Sequence, residues 1–258
     1  MLTLSTDSLK GYGLNRIFEF AKDADFDGID LAVEPNSLDT QNSEYIKELI
    51  EEYKVPVISI QAPSKASPQM VNDLVEMAKE IGAKIIIIHP PKILNFKYIH
   101  WLKSQVPKIR KKENISIALA SAPPTTILGI IPAHAMNNLG ELCKFKHACM
   151  DTSLIEKQGI SIIEAYAKLK HYLVHVHISN INRGKTYSLL DEGKIPLESF
   201  LTKLRHDNFK GAISLKIKGT YLGAGSDKKV LKNLKESKNF YTKYFLDQPV
   251  GNENKSKN

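Results

Sequence analysis

The chain is poor in the residues that cross-link a protein or anchor it in a bilayer. It has 2 cysteines and 1 tryptophan among 258 residues. Cys143 and Cys149 are too few for a disulfide framework, and their separation matches no common zinc motif. No apolar run approaches the ~20 residues of a membrane span; uninterrupted apolar stretches are strand-length, as at Ile85–Ile88. The first residues, Met1 to Asp7, lack the basic start and long apolar segment of a secretory signal. These absences predict a cytoplasmic protein with no membrane partner.

What is present is ordinary in kind and uneven in placement. The hydrophobic fraction of 42% and charged fraction of 25% suit a globular chain long enough to bury a sizeable core. The net charge is +8, yet residues 1–60 hold 5 Lys/Arg against 12 Asp/Glu. The basic excess therefore lies further on, much of it between Lys228 and Lys257. Such a stripe can attract nucleic acid. Lysines without arginines or interleaved aromatics make a poor reading surface, so nucleic acid is not the expected partner.

Strand-like and helix-like segments alternate with regularity. Apolar, β-branched runs occur at Leu2–Ser5, Gly28–Val33, Pro56–Gln61, Lys84–His89, Ile115–Ala120, Ala148–Asp151, Leu173–Ser179 and Ala212–Ile217. Between them lie helical periods such as Leu14, Ile17, Phe18 and Ala21, or Met70, Leu74, Met77 and Ala78. Later helices are expected over Tyr98–Lys111, Ala133–Cys143, Ser161–Lys170, Leu197–Arg205 and Asp227–Leu246. Eight strands, each followed by a helix, predict an α/β protein: a single closed (β/α)8 barrel over residues 1–247. Residues 248–258, polar with Pro249 and Gly251, are expected to be a disordered tail.

Side chains alternate along a strand, and the last inward residue of each faces the mouth of a barrel. On strand 7 this alternation turns His175, His177 and Ser179 inward and Val174, Val176 and Ile178 outward. On strand 8 it turns Ser214 and Lys216 inward. By the same logic Asp30, Gln61, His89, Ala120 and Asp151 face the interior, with Glu34 on a loop nearby. Ionisable groups converging at strand ends are where barrel chemistry is found.

Several phrases, one per βα unit, carry a family likeness: Phe26-Asp27-Gly28-Ile29-Asp30-Leu31, Ile60-Gln61-Ala62-Pro63, Ile88-His89-Pro90-Pro91, Met150-Asp151-Thr152-Ser153, His175-Val176-His177-Ile178-Ser179 and Glu192-Gly193-Lys194-Ile195-Pro196-Leu197. In this order the chain, over about residues 2–246, resembles the xylose-isomerase-like TIM barrel superfamily of sugar phosphate isomerases and epimerases, which includes endonuclease IV. The resemblance implies a divalent metal held by a Glu, an Asp, a His and a Glu at the ends of strands 5 to 8. Those positions are Ala120, Asp151, His177 and Lys216. Gln61 and Leu154 also stand where relatives often carry His.

One carboxylate and one or two imidazoles beside an ammonium repel a divalent ion rather than hold it. No metal and no other cofactor is therefore expected at the family position. Lys216 has three readings: a buried salt bridge with Asp151, a fixed positive charge that orients His177 and meets a ligand, or a reactive amine. The first functional expectation is an isomerase/epimerase-like barrel with a degenerate metal site that binds a small polar, sugar- or polyol-like ligand. The residues assigned to its chemistry are His89, Asp151, His177 and Lys216; Asp30, Glu34, Gln61, Arg183 and Lys185 are assigned to binding. The second is an active isomerase or epimerase working without the usual metal or with a displaced one. A DNA-repair endonuclease ranks last, because its zinc cluster needs ligands absent here. The loop Gly219–Ser226 before the last helix is a further candidate, for phosphate.

Overall fold

The structure, a computed structural model, describes residues 1–247. The expected tail, 248–258, lies outside the described residues. Eight parallel strands close into a barrel: β1 (Leu2–Ser5), β2 (Gly28–Ala32), β3 (Val57–Gln61), β4 (Ile85–Ile88), β5 (Ser116–Ala120), β6 (Ala148–Asp151), β7 (Leu173–Ile178) and β8 (Ala212–Leu215). Each pairs with its sequence neighbours, and Leu2 opposite Ile213 closes the ring. The expected strands are all present, some trimmed by one or two residues at an end.

The alternation works as side-chain sterics require. Leu4, Leu31, Ile60, Ile86, Ile88, Leu119, Val176 and Ile213 leave the barrel to join one continuous core with the helices. Each such side chain is fully buried and contributes about 1.5–3 kcal/mol. Among the described residues, Ile87, Ala118, Ala120 and Cys149 form a separate apolar cluster. Val174, expected to face the helices, packs against that cluster instead. The register there skips a residue: Ala148 pairs with Leu173, and Cys149 with His175. The unpaired Val174 is thereby turned inward.

Helix starts follow side-chain caps. Asn42, Ser67 and Asn95 each accept a backbone N–H from the first turn of the next helix. The helix expected over Tyr98–Lys111 is two helices, Phe96–Ser104 and Val106–Glu113. Pro107 cannot donate a backbone hydrogen bond, so the chain ends one helix and starts another. The helix expected from Ala133 starts only at Leu139, capped by Asn138. Ahead of it runs a two-stranded ribbon, Thr126–Ile127 with Ile131–Pro132. A second ribbon, Asn180–Asn182 with Lys185–Ser188, follows β7. A short helix, Thr152–Lys157, follows β6 directly.

Candidate functional site

The carboxylate of Asp30, fully buried inside the barrel, organises the site. Its Oδ1 accepts from Ser59 Oγ at 2.6 Å. Its Oδ2 accepts from Gln61 Nε2 at 2.6 Å and from Ser214 Oγ at 2.9 Å, and lies 3.1 Å from His177 Nε2. Burial alone would raise the pKa of this carboxyl. The hydrogen bond from His177 and the nearby imidazoles outweigh burial and hold it well below the carboxylate range. Asp30 is thus a buried organising anion, beneath the mouth rather than in it.

Gln61 carries the network upward. Its Nε2 also donates to Ser5 Oγ at 2.8 Å, while its Oε1 accepts from Lys216 Nζ at 2.7 Å. Lys216 Nζ lies 3.2 Å from Asp7 Oδ2 as well. Asp7 is placed by the turn after β1, which Ser8 ties to the end of β8: its Oγ donates to the Leu215 carbonyl and accepts from the Ile217 N–H. Burial would raise the Asp7 carboxyl, but Lys216 and Lys10 hold it low. The expected pairing of Lys216 with Asp151 is therefore replaced by Gln61 and Asp7. Two of the three ammonium protons have partners in this geometry.

This group forms one wall of a cavity of about 800 Å³ at the carboxyl ends of the strands. Lys10, Glu34, Lys65, His89 and Lys218 also line it. Burial, then the charge of Lys216, push the His89 imidazole down to about 4, so it is neutral at physiological pH. Of the nine residues assigned from sequence, Glu34, Gln61, His89 and Lys216 line the cavity. Asp151 and His177 are buried outside that lining, and Arg183 and Lys185 are exposed on the ribbon after β7.

Tyr187 lines the cavity, and its phenol lies beside Asp151. It holds a left-handed backbone (φ 63°), a conformation that costs a tyrosine about 1 kcal/mol or more. Its phenol is kept protonated by burial and by the carboxylates of Asp151 and Asp7 beside it. Asp151 caps the helix that follows it: Oδ1 accepts from Ser153 Oγ and from the Leu154 N–H, both at 3.0 Å. Its Oδ2 lies 4.0 Å from His177 Nδ1. Sequence reasoning missed Asp7 and Tyr187. Asp7 sits past a strand end in a turn, and Tyr187 gains its position from a ribbon with little apolar signature.

Of the four strand-end positions that the resemblance gives to a divalent ion, Asp151 and His177 carry ligand atoms and Ala120 and Lys216 do not. Ala120 has no donor, Asp151 spends one oxygen on its own helix, and Lys216 brings a cation to the same end of the barrel. The loop considered for phosphate also departs from expectation. Gly219–Leu222 is a single helical turn, and Asp227 at the start of the last helix is paired with Arg16 at 2.6 Å.

Comparison with known proteins agrees with this architecture. An uncharacterised protein of Mycobacterium leprae is 28% identical over 130 residues, 47% of this chain and 46% of that protein. An uncharacterised protein of Mycobacterium tuberculosis is 27% identical over the same shares. The aligned stretch thus spans about half the length of these curated relatives. A D-tagatose 3-epimerase-like protein superposes with a TM-score of 0.66 at 20% identity, over 91% of this chain and 97% of that one. The 3-keto-D-glucoside 4-epimerase of E. coli does so with a TM-score of 0.69 at 14% identity, over 92% and 98%. At such identities the likeness is one of fold. The family model described as xylose isomerase-like TIM barrel matches residues 18–243, and the chain belongs to that family.

Proposed function

We propose that the mouth of this barrel binds a small polyhydroxylated ligand, sugar- or polyol-like, with the Lys216 ammonium in the electrostatic role that relatives give to a metal ion. The observation that carries this reading is the placement of Lys216 Nζ, held by Gln61 and Asp7 in the wall of the 800 Å³ cavity. A fixed ammonium with a proton to spare attracts a carbonyl, carboxylate or phosphate oxygen. Glu34 and neutral His89 offer acceptors for hydroxyls across the same cavity. A sugar-sized ligand suits both the volume and the mixture of donors and acceptors. The solved relatives named as epimerases act on sugars, which favours the same ligand class.

Isothermal titration against ketoses, polyols and sugar phosphates tests this. Lys216→Met should weaken binding at least about tenfold, the loss of one charge-assisted hydrogen bond. An Asp7→Asn, Lys216→Met double variant removes the pair together and controls for an unpaired Asp7. Binding unchanged in a folded Lys216→Met protein, or no binding by the natural protein to any of the panel, would overturn the reading.

A further inference from the structure

Below the mouth, three side chains meet that the proposed ligand site does not use. Cys149 on β6 and His175 and His177 on β7 are buried, and each offers a ligand atom within 4.8 Å of the other two. Cys149 Sγ lies 3.7 Å from His177 Nδ1. On the far side of that ring, Nε2 is 3.1 Å from the Asp30 carboxylate. An ionised carboxylate assigns the proton to Nε2 and leaves the Nδ1 lone pair facing the thiol. A carboxylate behind an imidazole is the arrangement that fixes the tautomer of a metal-bound histidine.

His175 supplies the second observation. It is completely buried, and neither ring nitrogen has a hydrogen-bond partner. The nearest carboxylate oxygen, Asp30 Oδ2, is 4.0 Å from its Nε2. Leaving buried polar atoms unpaired costs about 1–3 kcal/mol each, and such an orphan in a native interior calls for a physical reason. A bound cation supplies one.

We propose that Cys149, His175 and His177 form a buried site for a zinc-class divalent ion, which shares His177 with the strand-end positions of the family but draws Cys149 and His175 from one residue layer deeper. Bond lengths of about 2.0–2.3 Å put neighbouring tetrahedral N and S ligands roughly 3.3–3.8 Å apart. The separation of Cys149 Sγ from His177 Nδ1 lies in that range. The His175 ring has to close by up to about 1.5 Å, within reach of a ring rotation. Asp151 Oδ2, 4.0 Å from His177 Nδ1, approaches as a fourth ligand. The Asp7, Asp30 and Asp151 carboxylates with the Lys216 ammonium sum to two negative charges, and a divalent ion with a Cys149 thiolate adds one positive, so the ion reduces the negative charge buried there. Binding releases the thiol proton to solvent. The ion cross-links β6 to β7 as the floor beneath the ligand cavity.

The test is protein produced in cobalt-supplemented minimal medium, assayed for cobalt per chain and for a near-UV thiolate-to-cobalt charge-transfer band. We expect about one ion per chain with the band present. Cys149→Ser should abolish the band, and His175→Asn should lower retained cobalt at least about tenfold. Cys143→Ser should leave both intact. X-ray absorption on the natural protein grown with zinc guards against a variant that does not fold: one sulfur at about 2.3 Å is expected. A folded natural protein with no retained metal overturns the inference, as does a band that survives Cys149→Ser. Metal bound by oxygen and nitrogen alone overturns it too, and places the ion at the strand ends, against the proposed role of Lys216. Ligand binding that survives Lys216→Met, with the sulfur-bound ion present, overturns the ligand reading alone.

Discussion

Around the inside of the barrel, β4 and β5 present Ile87, Ala118 and Ala120, whereas β1, β2, β3, β7 and β8 present Ser5, Asp30, Ser59, Gln61, His177 and Ser214. The first sector is held by packing, which is non-directional and tolerates exchange of one small apolar group for another. The second is held by directional bonds that converge on one carboxylate, so each member sets the position of the next. The cavity opens beside this second sector, and Gln61 links its wall to the buried network. A polar interior is costly to bury, and its return here is a mouth whose ammonium is held in place.

Removing the centre of the polar sector tests that contrast with the largest expected effect. Asp30→Ala leaves Ser59, Gln61, Ser214 and His177 without their shared acceptor. It should lower the unfolding free energy by about 3–5 kcal/mol, read from urea denaturation. It should also weaken any ligand that needs Lys216, because Gln61 loses its anchor. In the apolar sector, Ile87→Ala should cost about 2–4 kcal/mol through lost burial and a residual cavity. Ligand affinity should not change there. If Ile87→Ala weakens binding as much as Asp30→Ala does, the two sectors are one mechanical unit and the contrast fails.

The barrel was legible in the sequence because period-2 strands and period-3.6 helices alternate along the whole chain. The inward residues Asp30, Gln61, His177 and Ser214 followed from that alternation. Helices were misjudged where local signals conflict. Pro107 divides one, and the helix expected from Ala133 starts only at Leu139, after an exposed ribbon of Thr126–Ile127 with Ile131–Pro132. The partner of Lys216 was not legible, since Asp151 and Asp7 are equally acidic in sequence and only the turn locked by Ser8 decides between them. Tyr187 reaches the site through a left-handed backbone that no residue pattern announces. His175 was read as inward, but its missing partners are visible only when every neighbour is in place.

The smallest expected effect is a dependence on pH that should follow the polar groups and ignore the apolar ones. His89, on the seam between the sectors, is pushed down to about 4 by burial and by Lys216. His147, half-buried at the start of β6, is pushed to about the same value by burial and by Arg110. In the unfolded chain both titrate near ~6.5. The unfolded state therefore takes up protons first as pH falls, so stability is fully present above about pH 6.5 and declines towards pH 4. Asp30 acts in the same direction lower down, because its folded carboxyl lies below its unfolded value and its contribution fades only in acid. With allowance for solvent screening, each histidine should account for about 1 kcal/mol between pH 6.5 and 5. Urea midpoints at pH 7.5, 6.5 and 5 would show it. His147→Gln and His89→Gln should each flatten the slope, and Ile87→Val should lower every midpoint without altering it. An unchanged slope in both histidine variants would mean that the imidazoles are hydrated well enough to titrate normally, and the polar sector would then be wetter than its hydrogen bonds imply.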